Sequence, residues 1–320
     1  MINNSIFAKN IITNFSIFNV SKFSIFNCFI NGDTLSFNNT KFICEDEISF
    51  EYVYLKNNEY SFTKVLFDSN KFIIKNHALV KDIDLFKLRF FDCNILANTE
   101  IYIENLKRLE IVKCVIEKTI NIHKGAEEVS LHGTSILGNV LVLDYAKIVE
   151  AIELFYKNKD LEKSTMLACK MNEHLLLSQV YKTLGQIDNE DKAYVKYMNN
   201  CLAYKKETRG LKRLFDSNYI FRRITGILGK YGTSPTQVLF SSIIIVITMG
   251  LVYKILFSVL EVPITLIKAI YFSAVTFLTI GAGDIIINSS VVIALTVAEA
   301  FIGISMMSFF MVSLVRKVLR

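Results

Sequence analysis

Charged residues almost disappear from the C-terminal part of the chain. The 320 residues include 36 Lys and Arg and 30 Asp and Glu, but from Tyr231 onward charge is sparse until the closing VRKVLR. With 52% hydrophobic residues overall, the chain is too apolar for one soluble globule, and the apolar excess lies at one end. This distribution predicts a water-soluble part, residues 1–230, and a membrane part, residues 231–320.

Metal-binding and catalytic patterns are also missing. The cysteines form no C-x-x-C pair, which favours buried reduced thiols over a disulfide framework or a structural zinc site. They are Cys28, Cys44, Cys93, Cys114, Cys169 and Cys201. The four histidines are scattered, and the acidic run EDE at 45–47 is typical of a solvated turn rather than of an acid pair for hydrolysis. We therefore predict neither an enzyme nor a bound cofactor.

Two further absences concern partners and location. The net charge of +6 is modest and partly concentrated beside the membrane part, which argues against nucleic-acid binding. No basic segment followed by an apolar run and a small-residue cleavage site opens the chain, because MINNSIFAKNIITNFSIFN is rich in asparagine and interrupted. We therefore expect the N-terminal part to stay in the cytoplasm.

A degenerate repeat organises residues 1–145. Two alternating apolar positions, two spacers, a small or polar residue, a spacer and another apolar residue recur in six copies. They are FSIFNCFI (23–30), LSFNNTKF (35–42), VLFDSNKF (65–72), LRFFDCNI (88–95), LEIVKCVI (109–116) and VSLHGTSI (129–136). The last four start 23, 21 and 20 residues apart, and the last three are each followed by a second alternating run, IYI, INI or VLV. Short strands at this interval predict a β-solenoid with a stacked Cys93, Cys114, Thr134 column inside. A β-sandwich is the alternative.

Residues 146–230 change to a helical period. Apolar residues recur at helical spacing on both sides of Gly185, which predicts a helical hairpin of tetratricopeptide type acting as a connector or a self-association surface. Between Lys205 and Lys230 eight basic residues face two acidic ones. NYIFRRITGILGKYG separates Ile220, Ile224, Ile227 and Leu228 from Arg222 and Arg223, as in an interfacial helix. We expect these arginines to face anionic lipid.

The membrane part predicts two crossings and one shorter segment. Residues 231–253 lack charge and are long enough to cross, and residues 285–315 carry only Glu299. Basic clusters before the first span and after the second place both chain ends on the cytoplasmic side. Between the spans, ITLIKAIYFSAVTFL (264–278) is too short to cross and is followed at once by TIGAGD. In a bilayer such a re-entrant segment is tolerated only where its irregular backbone is buried in protein or lines a watery path.

The glycines of TIGAGD give this segment a chemical purpose. Gly281 and Gly283 can adopt backbone angles closed to other residues, so successive carbonyls can point the same way. Four chains around an axis would then form rings of oxygens that replace the water around a cation. The negative end of the preceding helix would also favour a cation.

This arrangement of span, pore helix, T-x-G-x-G-D and span resembles the two-transmembrane potassium channel family. The resemblance covers residues 231–320, and TIGAGD differs from the family's TVGYGD by Ile280 and Ala282. Tyr271 and Phe272 stand eight and seven residues before Thr279, where family members carry an aromatic pair that supports the filter. Gly303 stands where the inner helix commonly has its hinge glycine. The order of a repeat-rich cytoplasmic domain, a helical linker and a pore is also similar to bacterial channels with pentapeptide-type repeats.

The resemblance implies a homotetramer in a cell membrane of bacterial inner-membrane type. Carbonyls of Thr279, Ile280, Gly281 and Ala282, with the Thr279 hydroxyl, would form the ion sites, followed by Gly283. Asp284 would anchor the outer end of this selectivity filter, with Tyr271 as a donor. We expect a potassium channel. Because Ala282 replaces the aromatic residue that holds the family's filter in place, a weakly selective sodium and potassium channel is the alternative.

Glu299 is the charged residue inside the second span. A charge there is costly, so it is expected to face protein or water and to have a partner. Two roles stay open: a structural one behind the pore helix, accepting from Thr276 or Ser273, and one in cavity charge or gating. Glu299 lies one helical turn before Gly303.

A different class of function is a membrane-anchored β-solenoid that binds a polymer. An anchor has no use for a re-entrant helix ending in TIGAGD, so the sequence favours the channel, with the solenoid and hairpin assembling or regulating it. No voltage-sensing helix is expected. The stimulus is left open among a ligand on the solenoid, anionic lipid and membrane tension, because none has a specific motif.

Overall fold

A computed structural model of the chain describes two compact units, Met1–Thr208 and Arg209–Arg320. The residues described are 2–3, 6–7, 11–30, 34–55, 59–76, 86–103, 106–123, 126–138, 140–142, 145–281 and 289–318. Of the candidate filter, Ala282, Gly283 and Asp284 therefore lie outside the described residues.

The first unit begins with short strands in regular succession. They are β1 (Ile2–Asn3), β2 (Ile6–Phe7), β3 (Ile11–Asn14), β4 (Ile17–Ile30), β5 (Thr34–Asn38), β6 (Lys41–Leu55), β7 (Glu59–Thr63), β8 (Leu66–Asp68), β9 (Lys71–Asn76), β10 (Phe86–Phe91), β11 (Asn94–Ile95), β12 (Asn98–Ile103), β13 (Leu106–Val112), β14 (Val115–Ile116), β15 (Ile120–Ile122), β16 (Glu128–Ser130), β17 (Ser135–Ile136) and β18 (Val140–Val142). All of the described strand pairs are parallel.

The strands form a parallel β-solenoid of about four turns, which confirms the solenoid and removes the sandwich. One face is a sheet in the order β16-β13-β10-β7-β5-β3. The long strands β4 and β6 bend between the other two faces: the first part of β6 pairs with β8 and its second part with β9. On the third face β12, β15 and β18 pair in succession, and the runs INI and VLV lie in register. INI pairs with TEI (99–101) of β12, so the run IYI is shifted by two residues and meets INI only where Ile101 lies opposite Ile122.

Rows of like side chains fill the solenoid. Phe37, Phe62 and Phe90 stack on successive coils with ring centroids 5.6 and 5.1 Å apart. The predicted Cys93, Cys114, Thr134 column is also internal: the Cys93 amide donates to Cys114 Sγ and the Cys114 amide to Thr134 Oγ1, each over 3.4 Å. Each coil thus supplies both the apolar partner and the hydrogen-bond partner of the next.

Two of the six predicted repeat copies were placed wrongly. VLFDSNKF (65–72) is the first of the two. The copy in this coil is instead YSFTKVLF (60–67), because Tyr60 of β7 lies opposite Leu35 of β5 and Leu88 of β10. FSIFNCFI (23–30) lies on another face, where it pairs with the second part of β6. The fifth residue of each repeat copy turns the chain at a corner of the coil and has a positive φ. These residues are Phe15, Asn39, Lys64, Asp92, Lys113 and Gly133. A similar corner at Asn27 and Tyr52 explains why the loose pattern matched the wrong face.

Three helices follow the strands: α1 (Tyr145–Lys157), α2 (Lys163–Thr183) and α3 (Ile187–Arg209). The predicted hairpin is α2 and α3, joined at Gly185 with φ +67° and closed by a 2.8 Å ion pair from Lys163 to Glu207. The prediction extended the first helix of the hairpin through residues 158–162, where the chain instead breaks. As a separate helix, α1 packs on β16 and buries Ile152 and Phe155 in the solenoid core.

The second unit is helical. A 3-10 helix (Gly210–Phe215) leads to α4 (Ser217–Gly229), and a second one (Lys230–Gly232) leads to α5 (Pro235–Val259), α6 (Leu266–Phe277) and α7 (Ser290–Val318). The helices α5 and α7 are long and apolar enough to cross a membrane, and only 17% and 22% of their most apolar 18-residue windows are buried. Core helices of a soluble protein would be mostly buried. The shorter α6 occupies the predicted re-entrant segment.

Candidate functional site

The helix α6 packs against both α5 and α7. It begins at Thr265, whose side chain accepts from the Lys268 amide and so caps a free N–H of the first turn. Just before this cap, Lys254 Nζ of α5 donates to the Ile264 carbonyl over 2.5 Å. A charged donor on a loop carbonyl fixes where α6 begins.

The last turn of α6 closes with a specific hydrogen-bond pattern. The Thr279 amide donates to the Thr276 carbonyl and the Ile280 amide to the Val275 carbonyl, both over 2.9 Å. Together with φ +57° at Thr279 this is a Schellman ending, a position at which glycine or asparagine is usual. A β-branched residue in this conformation is an outlier that marks a constrained site.

The chain after this turn is exposed up to Gly281. Thr279, Ile280 and Gly281 are all exposed, Ile280 to 73%, and Gly281 has φ +87°. The Thr279 hydroxyl donates to the Leu278 carbonyl over 2.7 Å. An added Cβ on Gly281 would meet no described heavy atom within 4 Å, so the glycine is favoured here by its backbone angle and not by crowding.

The adjacent aromatic residues Tyr271 and Phe272 of α6 point to different surroundings. Phe272 is buried between α6 and α5, where its ring lies 4.9 Å from that of Tyr253 and 5.9 Å from that of Phe257, both edge-on. Tyr271 is 49% exposed. The expected contact between Tyr271 and Asp284 lies outside the described residues. Phe272 therefore anchors α6 to α5, and Tyr271 is left at the surface.

Two glycines allow the helices to approach closely. A Cβ on Gly303 of α7 would lie 1.9 Å from the Phe277 carbonyl oxygen at the end of α6. A Cβ on Gly250 of α5 would lie 2.9 Å from Ile270 Cα. Small residues at such crossings are typical of helix contacts in membranes. The helix α7 runs without a break through Gly303, and the hinge role stays a prediction.

Glu299 lies in the interior of this unit. Its side chain is completely buried, and its Oε1 is 2.5 Å from Ser273 Oγ of α6. Ser273 was one of the two donors named from the sequence. The same hydroxyl lies 2.9 Å from the Val246 carbonyl of α5. The Tyr253 side chain also interacts with the carboxyl group, although no hydrogen bond of standard geometry joins Tyr253 Oη to Glu299 Oε2.

The basic segment forms α4. Asp216 caps it by accepting from the Asn218 and Tyr219 amides. Its exposed apolar residues are Ile220, Phe221, Ile224 and Ile227. Arg223 is exposed and Arg222 is half-buried. Leu228, which the sequence placed on this outer face, instead packs inward against the cluster of Val238, Phe277 and Met306.

Charge and ligand geometry restrict what this site can bind. No group of three or more His, Cys, Asp or Glu side chains is placed to hold a metal ion in the part of the chain that the structure describes. The described oxygen atoms that follow Leu278 at the end of α6 are those of the main chain and the Thr279 hydroxyl. Aligned main-chain oxygens coordinate dehydrated monovalent cations, which fits conduction better than tight metal binding.

Sequence reasoning missed several residues that hold this site. Lys254, Val246 and Gly250 were not singled out, although each contacts α6 or the loop before it. The only signal for Gly250 was a small residue in an otherwise bulky apolar span. Nothing in the sequence indicated that a valine carbonyl would face Ser273.

Comparison with known protein families assigns this region. A family model described as an ion channel matches residues 240–320. The match contains most of α5 and all of α6 and α7, so these helices form an ion channel pore domain. No curated protein and no solved structure shows a significant match to the chain.

Proposed function

We propose that the protein is a homotetrameric cation channel that conducts potassium. The observation that carries this proposal is the ending of α6: a Schellman turn at Thr279 followed by a positive φ at Gly281, within the region that matches the ion channel family. A short helix held between two spanning helices and ending in irregular backbone suits a pore and has no use in a membrane anchor.

The ion sites would be built from the main chain of the selectivity filter. Carbonyls of Thr279, Ile280, Gly281 and Ala282 would replace the water around the ion, and Gly283 and Asp284 would complete the outer end. Four copies are needed because one chain supplies one oxygen to each ring. Exposure of Ile280 and Gly281 in the single subunit supports a role for other copies in covering them.

Selectivity is proposed from the residues that support the filter. Phe272 fixes α6 through its contacts with Tyr253 and Phe257, and the exposed Tyr271 is free to support the filter of its own or a neighbouring subunit. A small side chain at Ala282 gives less bracing than an aromatic one. A weakly selective sodium and potassium channel is therefore the second candidate, since selectivity depends on how firmly the carbonyls are held.

The orientation follows from the basic segments at the two ends of the pore domain. Lys and Arg flank α5 on its N-terminal side and α7 on its C-terminal side, with Arg316 and Lys317 in the last turn, so both ends lie in the cytoplasm. The exposed apolar residues of α4 would lie in the membrane surface, with Arg222 and Arg223 attracting anionic lipid. Gly303 would be the hinge of α7.

The solenoid and the hairpin of α2 and α3 would assemble or regulate this pore. The solenoid is a rigid scaffold whose coils are held by their own neighbours, which suits a platform rather than a moving gate. A binding protein anchored by two spans is the competing class of function, and it predicts no ion flux.

A flux assay on the full chain in liposomes tests the proposal. Wild-type protein should pass potassium faster than sodium and exclude chloride. Gly281→Ala should reduce potassium flux at least about tenfold, equivalent to about 1.4 kcal/mol in barrier height, because alanine strains the positive φ.

Gly185→Ala is the matched control. Gly185 also has a positive φ with no heavy atom within 4 Å of an added Cβ, but it lies between α2 and α3. Equal loss of flux in both variants, equal leakage of all three ions, or no flux from well-folded protein would contradict the channel. Equal potassium and sodium flux would support the weakly selective alternative.

A further inference from the structure

The hydroxyl of Ser273 has too few protons for its surroundings if Glu299 is ionised. Its Oγ lies 2.5 Å from Glu299 Oε1 and 2.9 Å from the Val246 carbonyl oxygen. A serine hydroxyl donates one proton and accepts through two lone pairs. An ionised carboxylate and a carbonyl are both acceptors only, so one of these two close contacts would lack a proton.

The described environment of Glu299 holds no cation to stabilise a negative charge. Glu299 and Ser273 are both completely buried. The carboxyl group interacts with Ser273 of α6 and with Tyr253 of α5, which is the titratable neighbour, and with no charged side chain of the described parts of α5, α6 or α7. A buried carboxylate is ordinarily paired with a cation or accepts several hydrogen bonds.

We propose that Glu299 carries its proton and donates it to Ser273, which in turn donates its own proton to the Val246 carbonyl. The acid on α7, the hydroxyl on α6 and the carbonyl on α5 then form one directed relay in which both contacts contain a proton. Oε1 is the hydroxyl oxygen of the acid, and Oε2, which has no hydrogen-bond partner among the described residues, is its carbonyl oxygen.

The relay makes Glu299 a positioning residue for the pore helix. It joins the three helices at one point, Ser273, six residues before the Schellman turn at Thr279. Because the acid is neutral, it adds no net charge near a permeating ion and acts mainly through the position of α6. This consequence for conduction rests on the proposed channel function, whereas the protonation of Glu299 does not.

A charge-assisted bond to an ionised Glu299 is the competing assignment. A short O–H···O⁻ contact of about 2.5–2.7 Å is usual for such a bond, and it would account for the distance from Ser273 to Glu299. It would leave the 2.9 Å approach to the Val246 carbonyl without a proton. The two assignments differ in the vibrational spectrum of the carboxyl group.

Infrared spectroscopy of the full-length protein in liposomes at pH 7.5 distinguishes them. A protonated carboxyl group absorbs as a C=O stretch well separated from carboxylate bands, and exposed acids are ionised at this pH. The comparison is made in the Glu173→Gln background, because the buried Glu173 of α2, with a pKa of about 7, would also be partly protonated at this pH. In that background the parent protein should show the band, Glu299→Gln should lose it, and Glu261→Gln should keep it. Glu261 is the matched control because it is an exposed glutamate between α5 and α6.

A second variant tests the direction of the relay. Ser273→Ala removes the acceptor of the acid proton, so the band should persist and move to higher wavenumber. If Glu299→Gln does not assemble, the band of the Glu173→Gln parent decides: it should persist as the pH is raised to 8. Absence of the band in that parent, or loss of a carboxylate band in Glu299→Gln, would overturn the proposal.

Ion flux separates this inference from the function on which its consequence rests. Glu299→Gln keeps a neutral side chain with a donor and should retain potassium flux within about twofold, while Glu299→Leu should lose most of it. A protonated-carboxyl band in a protein that passes no ions would support the relay and contradict the channel function. Ion flux without the band would support the channel function and contradict the relay.

Discussion

Phe37, Phe62 and Phe90 in the solenoid are at most 1% exposed, whereas Phe240 on α5 and Phe301 on α7 are 67% and 75% exposed. The solenoid satisfies its apolar side chains within one chain, coil against coil. The unit of α5, α6 and α7 leaves many of them exposed, as a surface in contact with lipid would. The first unit is therefore stabilised by burial within its own chain, while the stability of the second unit depends on what covers its exposed apolar surface.

Large side chains hold the first unit, and close approaches hold the second. Phe62 alone lies within 5.6 Å, centroid to centroid, of four other phenylalanine rings. The helices of the channel unit meet where glycines lie, at Gly250 and Gly303. Removing volume should damage the solenoid, and adding volume should damage the pore.

The largest effect is expected from Phe62→Ala. Truncation of a fully buried phenylalanine leaves a cavity among stacked rings and should lower the free energy of unfolding of the solenoid by about 3–5 kcal/mol. Chemical denaturation of the full chain in detergent, followed by the β-sheet circular dichroism signal, measures the loss.

Phe240→Ala is the control in the other unit, since it removes the same volume from an exposed position. It should change the solenoid transition little. A comparable shift in both variants would mean that the two units unfold together and that burial within the chain does not distinguish them.

Two buried glutamates extend the comparison to polar groups. Glu173 in α2 accepts from Ser130 Oγ, the Leu131 amide and Tyr156 Oη over 2.8–3.0 Å, whereas Glu299 has one close polar partner. Even with three donors, burial raises the pKa of Glu173 to about 7, although the donors and Lys170 oppose the rise. The adjacent His174 is shifted in the opposite sense, because burial lowers its pKa to about 4.

Glu173→Gln should change the pH dependence of the first unit. The folded pKa of Glu173 is above its usual 4.5, so its folded form binds the proton more tightly, and stability falls as pH rises from about 4.5 to about 7 by up to about 3 kcal/mol. His174 works the other way, losing stability as pH falls below about 6.5.

Denaturation midpoints between pH 5 and pH 8 measure this difference. Wild type should be less stable at pH 8 than at pH 6.5, and Glu173→Gln should lose that decline while keeping the loss on the acid side from His174. Glu127→Gln, at an exposed position before β16, should behave as wild type. An unchanged decline above pH 6.5 in Glu173→Gln would assign it to another group.

Predictability from sequence also differed between the two units. The α5, α6 and α7 segments and the interval of the last solenoid coils were predicted, because apolar runs and alternation record burial directly. Register was harder: VLFDSNKF fits the repeat pattern as well as YSFTKVLF does, and only the pairing of Tyr60 with Leu35 and Leu88 decides between them.

Contacts that depend on backbone geometry were beyond the sequence. Ser273 was named as a donor to Glu299, since spacing places both inside the helical pack, but the Val246 carbonyl has no side-chain signature. Thr279 gave no indication of a positive φ, which local propensity assigns to glycine. The break between α1 and α2 was missed because α1 packs against the solenoid core and is not part of the hairpin.

The smallest effect on folding is expected from Gly303→Ala, and it tests the claim that added volume damages the pore. A methyl group there would overlap the Phe277 carbonyl at 1.9 Å. The carbonyl is backbone, so α6 and α7 must separate, at a cost of about 1–3 kcal/mol for an overpacked contact. Displacement at Phe277, two residues before Thr279, should reach the filter and lower potassium flux more than it lowers stability.

Ser305→Ala is the matched variant, because Ser305 is exposed on the same helix and its hydroxyl bonds only to the Phe301 carbonyl among the described residues. Flux and thermal stability of both variants are measured in the same liposomes and detergent. If Gly303→Ala conducts as wild type does, then α7 does not rest against the end of α6 in the conducting state. The close approach would then belong to a closed pore, and Gly303 would act as a hinge rather than as a contact.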